Sequence, residues 1–198
     1  MNQQKKIFLL SKLYMKLNKK HIIIFFIIFY LYTRKRYNKL LPTIPLYPNN
    51  YNDSLIVKDY INKRSSKNIS LFQSTDPSIV FAFKPYVNIS LFELSNIVTQ
   101  KHIIFIIMFL KYLFNRARPK QIINDLDVLE SKTADTPAFP SGHAFQAYYL
   151  ANHLSELYPD EKDLFNDIAE KCAMARVYAG LHYPSDNKFS KLLVDILF

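Results

Sequence analysis

The 198-residue chain has almost no glycine; Gly142 and Gly180 are its only two. Glycine serves where the backbone takes positive φ or must approach a ligand closely, so these are the two points where geometry should override composition. There is a single cysteine, Cys172, which excludes an intramolecular disulfide and reads as core packing in a helix. No apolar run reaches the roughly 17 to 20 residues of an unaided membrane span. Strand alternation, hairpin dipeptides and internal repeats are all missing, while ten prolines punctuate the chain. What remains is an all-α fold of helices joined by Pro-marked loops. No nucleic-acid motif or aromatic platform accompanies the basic residues, so nucleic acid is not an expected partner.

Positive charge is abundant. The formal net charge is +10 and the bases concentrate before residue 40, where no acidic residue occurs. Six lysines precede the apolar run Ile22 to Tyr32, and Arg34, Lys35, Arg36 and Lys39 follow it. The run resembles a signal peptide's apolar region but lacks a small-residue cleavage site, which favours an uncleaved N-terminal anchor helix over a cleaved leader. The basic flanks suit an anionic membrane surface. The competing reading, a buried helix of a soluble protein, stays open at this stage. A second run, Ile103 to Phe114, is interrupted by Lys111 and reads as core rather than membrane span.

The chemistry gathers around the two glycines. Lys111 is followed seven residues on by Arg118-Pro119; Pro140-Ser141-Gly142-His143 comes next; Arg176, His182 and Asp186 complete the set. Three cations, two imidazoles, a hydroxyl and a carboxylate suit a phosphoryl group. Guanidinium forks match pairs of phosphate oxygens, helix-start amides add donors, and a neutral imidazole can attack phosphorus or carry a proton.

The spacing K-x6-R-P, then P-S-G-H, then R-x5-H-x3-D resembles the type 2 phosphatidic acid phosphatase superfamily, which also holds class A acid phosphatases, glucose-6-phosphatases and vanadium-dependent haloperoxidases. The resemblance runs from about residue 105 to the C-terminus and implies a helical bundle of the acid phosphatase/haloperoxidase type. It makes His182 the nucleophile forming a phosphohistidine, Asp186 its orienting carboxylate, and His143 the acid and then base. Lys111, Arg118 and Arg176 become phosphate clamps, with Ser141 and the Gly142 amide closing the anion hole. No metal or other cofactor is implied. The expected substrate is a phosphorylated lipid, phosphatidate above all, or a small phosphomonoester, at a membrane reached through the N-terminal anchor. A haloperoxidase holding vanadate in the same pocket, and a non-enzymatic membrane protein that binds phosphate or a lipid headgroup without turnover, are the alternatives. The expected organisation is an anchor segment at 1–40, a linker with peripheral helices at 41–78 and a catalytic domain at 79–198.

The chain departs from the family pattern twice. Position 175 is alanine where a serine donor is usual, and Asn187-Lys188-Phe189 follow Asp186 in place of small residues and glycine. Periodicity predicts one helix from Ala144 to Leu157 with Ser141 and Gly142 in its first turn, and a second from about Pro159 to Ala179 capped by Gly180. A last helix is predicted from Pro184 with Leu192, Leu193 and Ile196 on its apolar side. His182 falls in the loop between. His21, His102 and His153 lie outside the motifs and are read as structural or surface residues.

Overall fold

The computed structural model describes residues 49–198, so the apolar run Ile22–Tyr32, its basic flanks and His21 lie outside the described residues. Among the described residues the fold is all helical, with no strand. We number the helices α1 (Asn50–Asn62), α2 (Ser66–Thr75), α3 (Val80–Phe83), α4 (Leu91–Val98), α5 (Lys101–Phe114), α6 (Pro119–Ile122), α7 (Gly142–Leu157), α8 (Lys162–Tyr178) and α9 (Pro184–Leu197). Short 3-10 turns at Lys84–Tyr86 and Pro159–Glu161 join α3 to the α4 segment and α7 to α8.

Helices start where side chains can satisfy free amides. Ser65 with Asn68 and Ser90 with Glu93 form capping boxes at α2 and α4, and Asn49 accepts from the Tyr51 amide at 2.8 Å to open α1. The predicted helices over 144–157 and 159–179 are present as α7 and α8.

α7 and α8 form the central pair. α9 packs on α7, α1 and α2 on α8, and α4 and α5 on the other side of α7. The main core holds Ala147 and Ala151 from α7 with Ala169 and Ala173 from α8, each pair at i,i+4, small side chains that allow close helix approach. Phe83, Leu94, Phe145, Leu154 and Phe165 fill the space around them, and Cys172 is buried there as expected. α1 and α2 contribute too: Val57 and Phe72 are buried against the α8 side.

Two apolar faces differ from expectation. In α5 the buried residues are Ile103, Ile107, Lys111 and Phe114, whereas Phe105 and Phe109 are 67% and 55% exposed, so the run is core along one side only. In α9 two of the three predicted apolar residues point outward, Leu192 and Ile196 being 47% and 68% exposed, while Leu193 packs partly buried against the core and Asp186, Phe189, Ser190 and Val194 face inward. The phase of α9 is set at its first turn, where Asp186 is drawn into the interior by His182 and Arg116, and the rest of the helix follows. No single described helix is long and apolar enough to cross a membrane; the pair Leu91–Val98 and Lys101–Ile122, bent by 46°, meets the length and composition requirement only together.

Candidate active site

α8 ends in a Schellman turn. Gly180 has φ +77°, its amide donates to the Val177 carbonyl at 2.9 Å, and the Leu181 amide donates to the Arg176 carbonyl at 3.1 Å. A Cβ at position 180 would lie 2.9 Å from Val128 Cγ2 and 3.0 Å from Ile61 Cδ1, so glycine is needed for both conformation and space. This turn delivers His182 into a short loop, and Pro184 at the first position of α9 starts the helix that carries Asp186. Asp186 Oδ2 accepts from the Tyr183 amide and lies 3.0 Å from His182 Nδ1. A carboxylate accepts, so Nδ1 carries the hydrogen and Nε2 keeps its lone pair. That lone pair faces Arg118 Nη1 at 3.3 Å.

The second imidazole comes from α7. Phe139 stacks on Phe189 with ring centroids 4.4 Å apart and meets Phe114 edge-on at 5.0 Å, which ties the segment before Ser141 to α5 and α9. Ser141 is fully buried as the N-cap of α7; its Oγ accepts from the Ala144 amide at 3.4 Å, leaving its own hydroxyl proton to donate. Its carbonyl accepts from Ser190 Oγ at 2.9 Å. Gly142, the first residue of α7, lines the cavity but has no positive φ, and a Cβ there would meet Ile107 Cγ2 at an ordinary 3.4 Å. Backbone geometry therefore demands glycine at 180 and not at 142. His143 Nε2 lies 3.0 Å from the Asp76 carbonyl, which places the hydrogen on Nε2 and leaves Nδ1 as the exchangeable position.

The three cations converge from separate elements. Lys111 Nζ donates to the Pro137 carbonyl at 2.5 Å, and Arg118 donates to the carbonyls of Thr136 (2.9 Å) and Leu181 (2.8 Å). Arg176 pairs with Asp76 Oδ1 at 2.5 Å and reaches Ser131 and Thr133 with its other nitrogen, while its buried Nε has no hydrogen-bond partner. Lys111, Arg118, Arg176, His143, His182 and Gly142 line one cavity of about 170 Å³. Ser141 and Asp186 stand behind that lining. Thr133, Thr136 and Gln146 add polar groups, and Ile104, Ile107 and Met108 from α5 form an apolar wall.

Burial and cations keep both imidazoles neutral at ordinary pH. Burial first, then Arg176, push His143 down to about 3. Burial, Arg118 and Lys111 hold His182 well below the usual histidine range. Burial raises the Asp186 carboxyl above its ordinary value, against the pull of Arg116. The site is thus a positively charged pocket with two uncharged imidazoles, suited to a dianionic ligand.

Several residues here carry no motif. Asp76 holds both Arg176 and the His143 ring, and Arg116 and Asp53 lie behind Asp186; all are distant in sequence from the groups they hold. The N-R-A-R-P run offered one available signal, a second arginine two residues before Arg118. Ala175 is buried with Phe72, Ala179 and Leu181 in an apolar cluster and does not line the cavity, whose hydroxyls come from Thr133 and Thr136. Asn187 and Phe189 also have structural work: Asn187 Nδ2 donates to the Ala173 carbonyl at 2.8 Å, tying α9 to α8. His102 is exposed beside Phe198, and His153 is half-buried, both away from the cavity.

A family model for the PAP2 superfamily matches residues 72–193, which takes in every residue lining this cavity. The chain belongs to the PAP2 superfamily. Its members are generally phosphatases and related phosphoesterases, and a phosphorylated small molecule or lipid is the substrate class that goes with them. No curated relative matches this PAP2 chain.

Proposed function

We propose that the protein hydrolyses a phosphomonoester through a phosphohistidine on His182, with phosphatidate or a related lipid phosphate as substrate. The observation that carries this reading is the pairing at His182: Nδ1 is held by Asp186 while Nε2 faces a pocket of three cations. Nε2 attacks phosphorus and the P–O bond to the leaving oxygen breaks. His143 gives that oxygen its proton, and the ring, then neutral, takes a proton from the water that attacks the phosphohistidine. The P–N bond breaks, inorganic phosphate leaves and His143 is again the acid. Lys111, Arg118 and Arg176, with the Ser141 hydroxyl and Gly142 amide, stabilise the charge on the equatorial oxygens. These cations supply the positive charge that the step needs, so the reading calls for no metal.

Burial and the nearby cations hold the His143 ring neutral, so it gains the proton it donates as the substrate binds. A phosphate dianion offsets the Arg176 and Lys111 charges that depress it, raising its affinity for a proton at the moment the acid is required.

The lipid assignment rests on the shape of the site. A cavity of about 170 Å³ is smaller than the roughly 300–1,000 Å³ of pockets that enclose drug-sized ligands, so it takes a phosphoryl headgroup and leaves the remainder outside. Its apolar wall of Ile104, Ile107 and Met108 adjoins Phe105 and Phe109 on α5, exposed rings stacked at 5.9 Å. Membrane attachment through Ile22–Tyr32 and its basic flanks would keep the enzyme at a membrane that carries such a substrate.

The test is phosphate release in EDTA from phosphatidate micelles and from a soluble phosphomonoester, with His182→Ala alongside. Metal-independent turnover that disappears in the variant, and is faster on the lipid, supports the reading. Equal inactivity of both proteins on both substrates would overturn it.

A further inference from the structure

We propose that Asp53, on α1 and outside the residues matched to the PAP2 family, is a positioning residue for His182, acting through Arg116 and Asp186. The inference rests on His182 being the nucleophile. Arg116 is buried between two carboxylates: Nη2 lies 2.8 Å from Asp53 Oδ2 and Nη1 lies 2.6 Å from Asp186 Oδ1. Its Nε donates to Asn50 Oδ1 at 2.9 Å, and its plane sits 3.8 Å over the Tyr183 ring. Ser185 Oγ bridges the two sides, accepting from Arg116 at 2.7 Å and donating to Asp53. The side chains of Arg116 and Asp186 have no solvent exposure and Asp53 has 2%.

One guanidinium thus serves two anions in a buried cluster. Buried carboxylates are costly unless paired and hydrogen-bonded, and here both are. The consequence for His182 is electrostatic. A phosphorylated imidazole with a hydrogen on Nδ1 is a cation, and Asp186 Oδ2 is the carboxylate facing it. Asp53 shares the Arg116 charge, so Asp186 is only partly neutralised and keeps negative charge for the ring. Without the Asp53 charge the whole of Arg116 would bear on Asp186 and draw that charge away from His182. Asn50 fixes the angle of the fork, so α1 supplies both the charge and the orientation that the matched segment lacks by itself.

The experiment uses the full chain and compares wild type, Asp53→Asn, Asn50→Ala and His182→Ala for kcat and KM on a soluble phosphomonoester and for inhibition by inorganic phosphate. Asp53→Asn keeps the shape and a neutral acceptor for Arg116. Its kcat is expected to fall about 10- to 100-fold, as for outer partners of catalytic histidines, while the inhibition constant of phosphate stays within about twofold. Asn50→Ala is expected to lose several-fold in kcat by the same pattern. An Asp53→Asn protein with wild-type kcat overturns the inference, as does parallel loss of turnover and phosphate binding, which would mark a purely structural role. Should Asp53→Asn not fold, Asn50→Ala with unchanged kcat overturns it. A wild type without His182-dependent turnover removes the phosphatase reading and this inference together, whereas His182-dependent wild type with unaffected variants removes this inference alone.

Discussion

His182 Nε2 and Arg118 Nη1 lie 3.3 Å apart, so the lone pair that would attack phosphorus is held by a guanidinium before any phosphate enters. Arg118 can only donate; its Nε donates to the Thr136 carbonyl and the same Nη1 to the Leu181 carbonyl, which fix the fork against the loop that carries His182. In the proposed reaction, incoming phosphate oxygens would take over the donor that faces Nε2 and free the lone pair as the phosphorus arrives. Arg118→Lys keeps the charge but loses the fork. Its kcat on a soluble phosphomonoester is expected to fall about 10²- to 10³-fold, the usual consequence of losing one anion-hole donor, with a smaller change in KM. Steady-state phosphate release checks this, and a kcat within about fivefold of wild type would remove Arg118 from the anion hole.

The two depressed imidazoles make the fold acid-sensitive. A histidine whose folded pKa lies below its unfolded value of about 6.5 binds fewer protons folded than unfolded. Its contribution to stability is complete above pH 6.5 and is lost as pH falls toward the folded pKa, about 3 for His143. His182 loses stability in the same direction. Each imidazole held neutral in this window costs about 1.4 kcal/mol per pH unit. Urea midpoints measured from pH 7 to pH 4 should therefore drop steadily, and His143→Gln should flatten the slope. An unchanged midpoint down to pH 4 would mean that both rings are accessible to protons in the folded state.

How much of this was legible in the sequence depends on the distance over which each feature is decided. Ser141 and Gly180 were readable because caps and positive-φ turns are local: three residues determine the start of α7 and two hydrogen bonds the end of α8, whereas Gly142 holds the expected first turn of α7 without the backbone need read into it. The apolar side of α9 was misread because Leu192, Leu193 and Ile196 satisfy helical periodicity as well as Phe189 and Val194 do. The contacts of Asp186 with His182 and Arg116, of Asn187 with the Ala173 carbonyl, of Phe189 with Phe139 and of Ser190 with the Ser141 carbonyl select the face that turns inward. Arg116 with Asp53 and Arg176 with Asp76 are separated by 63 and 100 residues, and no periodicity or spacing reports such pairs. Ala175 looked like a lost donor when judged by position in a motif; the helix phase instead turns it toward Phe72.

The two glycines should respond oppositely to a methyl group. Gly180→Ala combines a left-handed backbone with a Cβ 2.9 Å from Val128, costing at least about 2 kcal/mol. A melting temperature lower by about 5 °C or more is expected. Gly142→Ala meets only ordinary contacts and sits in a helix, so its melting temperature should be little changed. Its methyl group enters the cavity near Lys111, so phosphate inhibition should weaken. Calorimetry on both variants with a phosphate inhibition assay separates these effects, and the reverse pattern would contradict the assignment of the two roles.

The α5 wall offers the sharpest distinction between a lipid and a soluble substrate. Met108 and Ile104 lie one helical turn apart beside the cations, on the side toward exposed Phe105 and Phe109. In the proposed function, a phosphoryl group bound among Lys111, Arg118 and Arg176 would direct its leaving group along this wall or out to solvent. If the leaving group is a diacylglycerol, covering Met108 and Ile104 contributes about 1.5–3 kcal/mol for each side chain removed from water. Met108→Ser should then lower kcat/KM on phosphatidate micelles at least about tenfold, through the lost burial of an acyl chain against the wall. The same variant should leave a small, fully soluble phosphomonoester within about threefold, since its leaving group does not need the wall and no charge is added beside the phosphate. Comparing the two substrates on one preparation makes the ratio independent of folding yield. Equal losses on both would assign the wall to shaping the phosphate pocket itself, and the lipid preference would have to be abandoned.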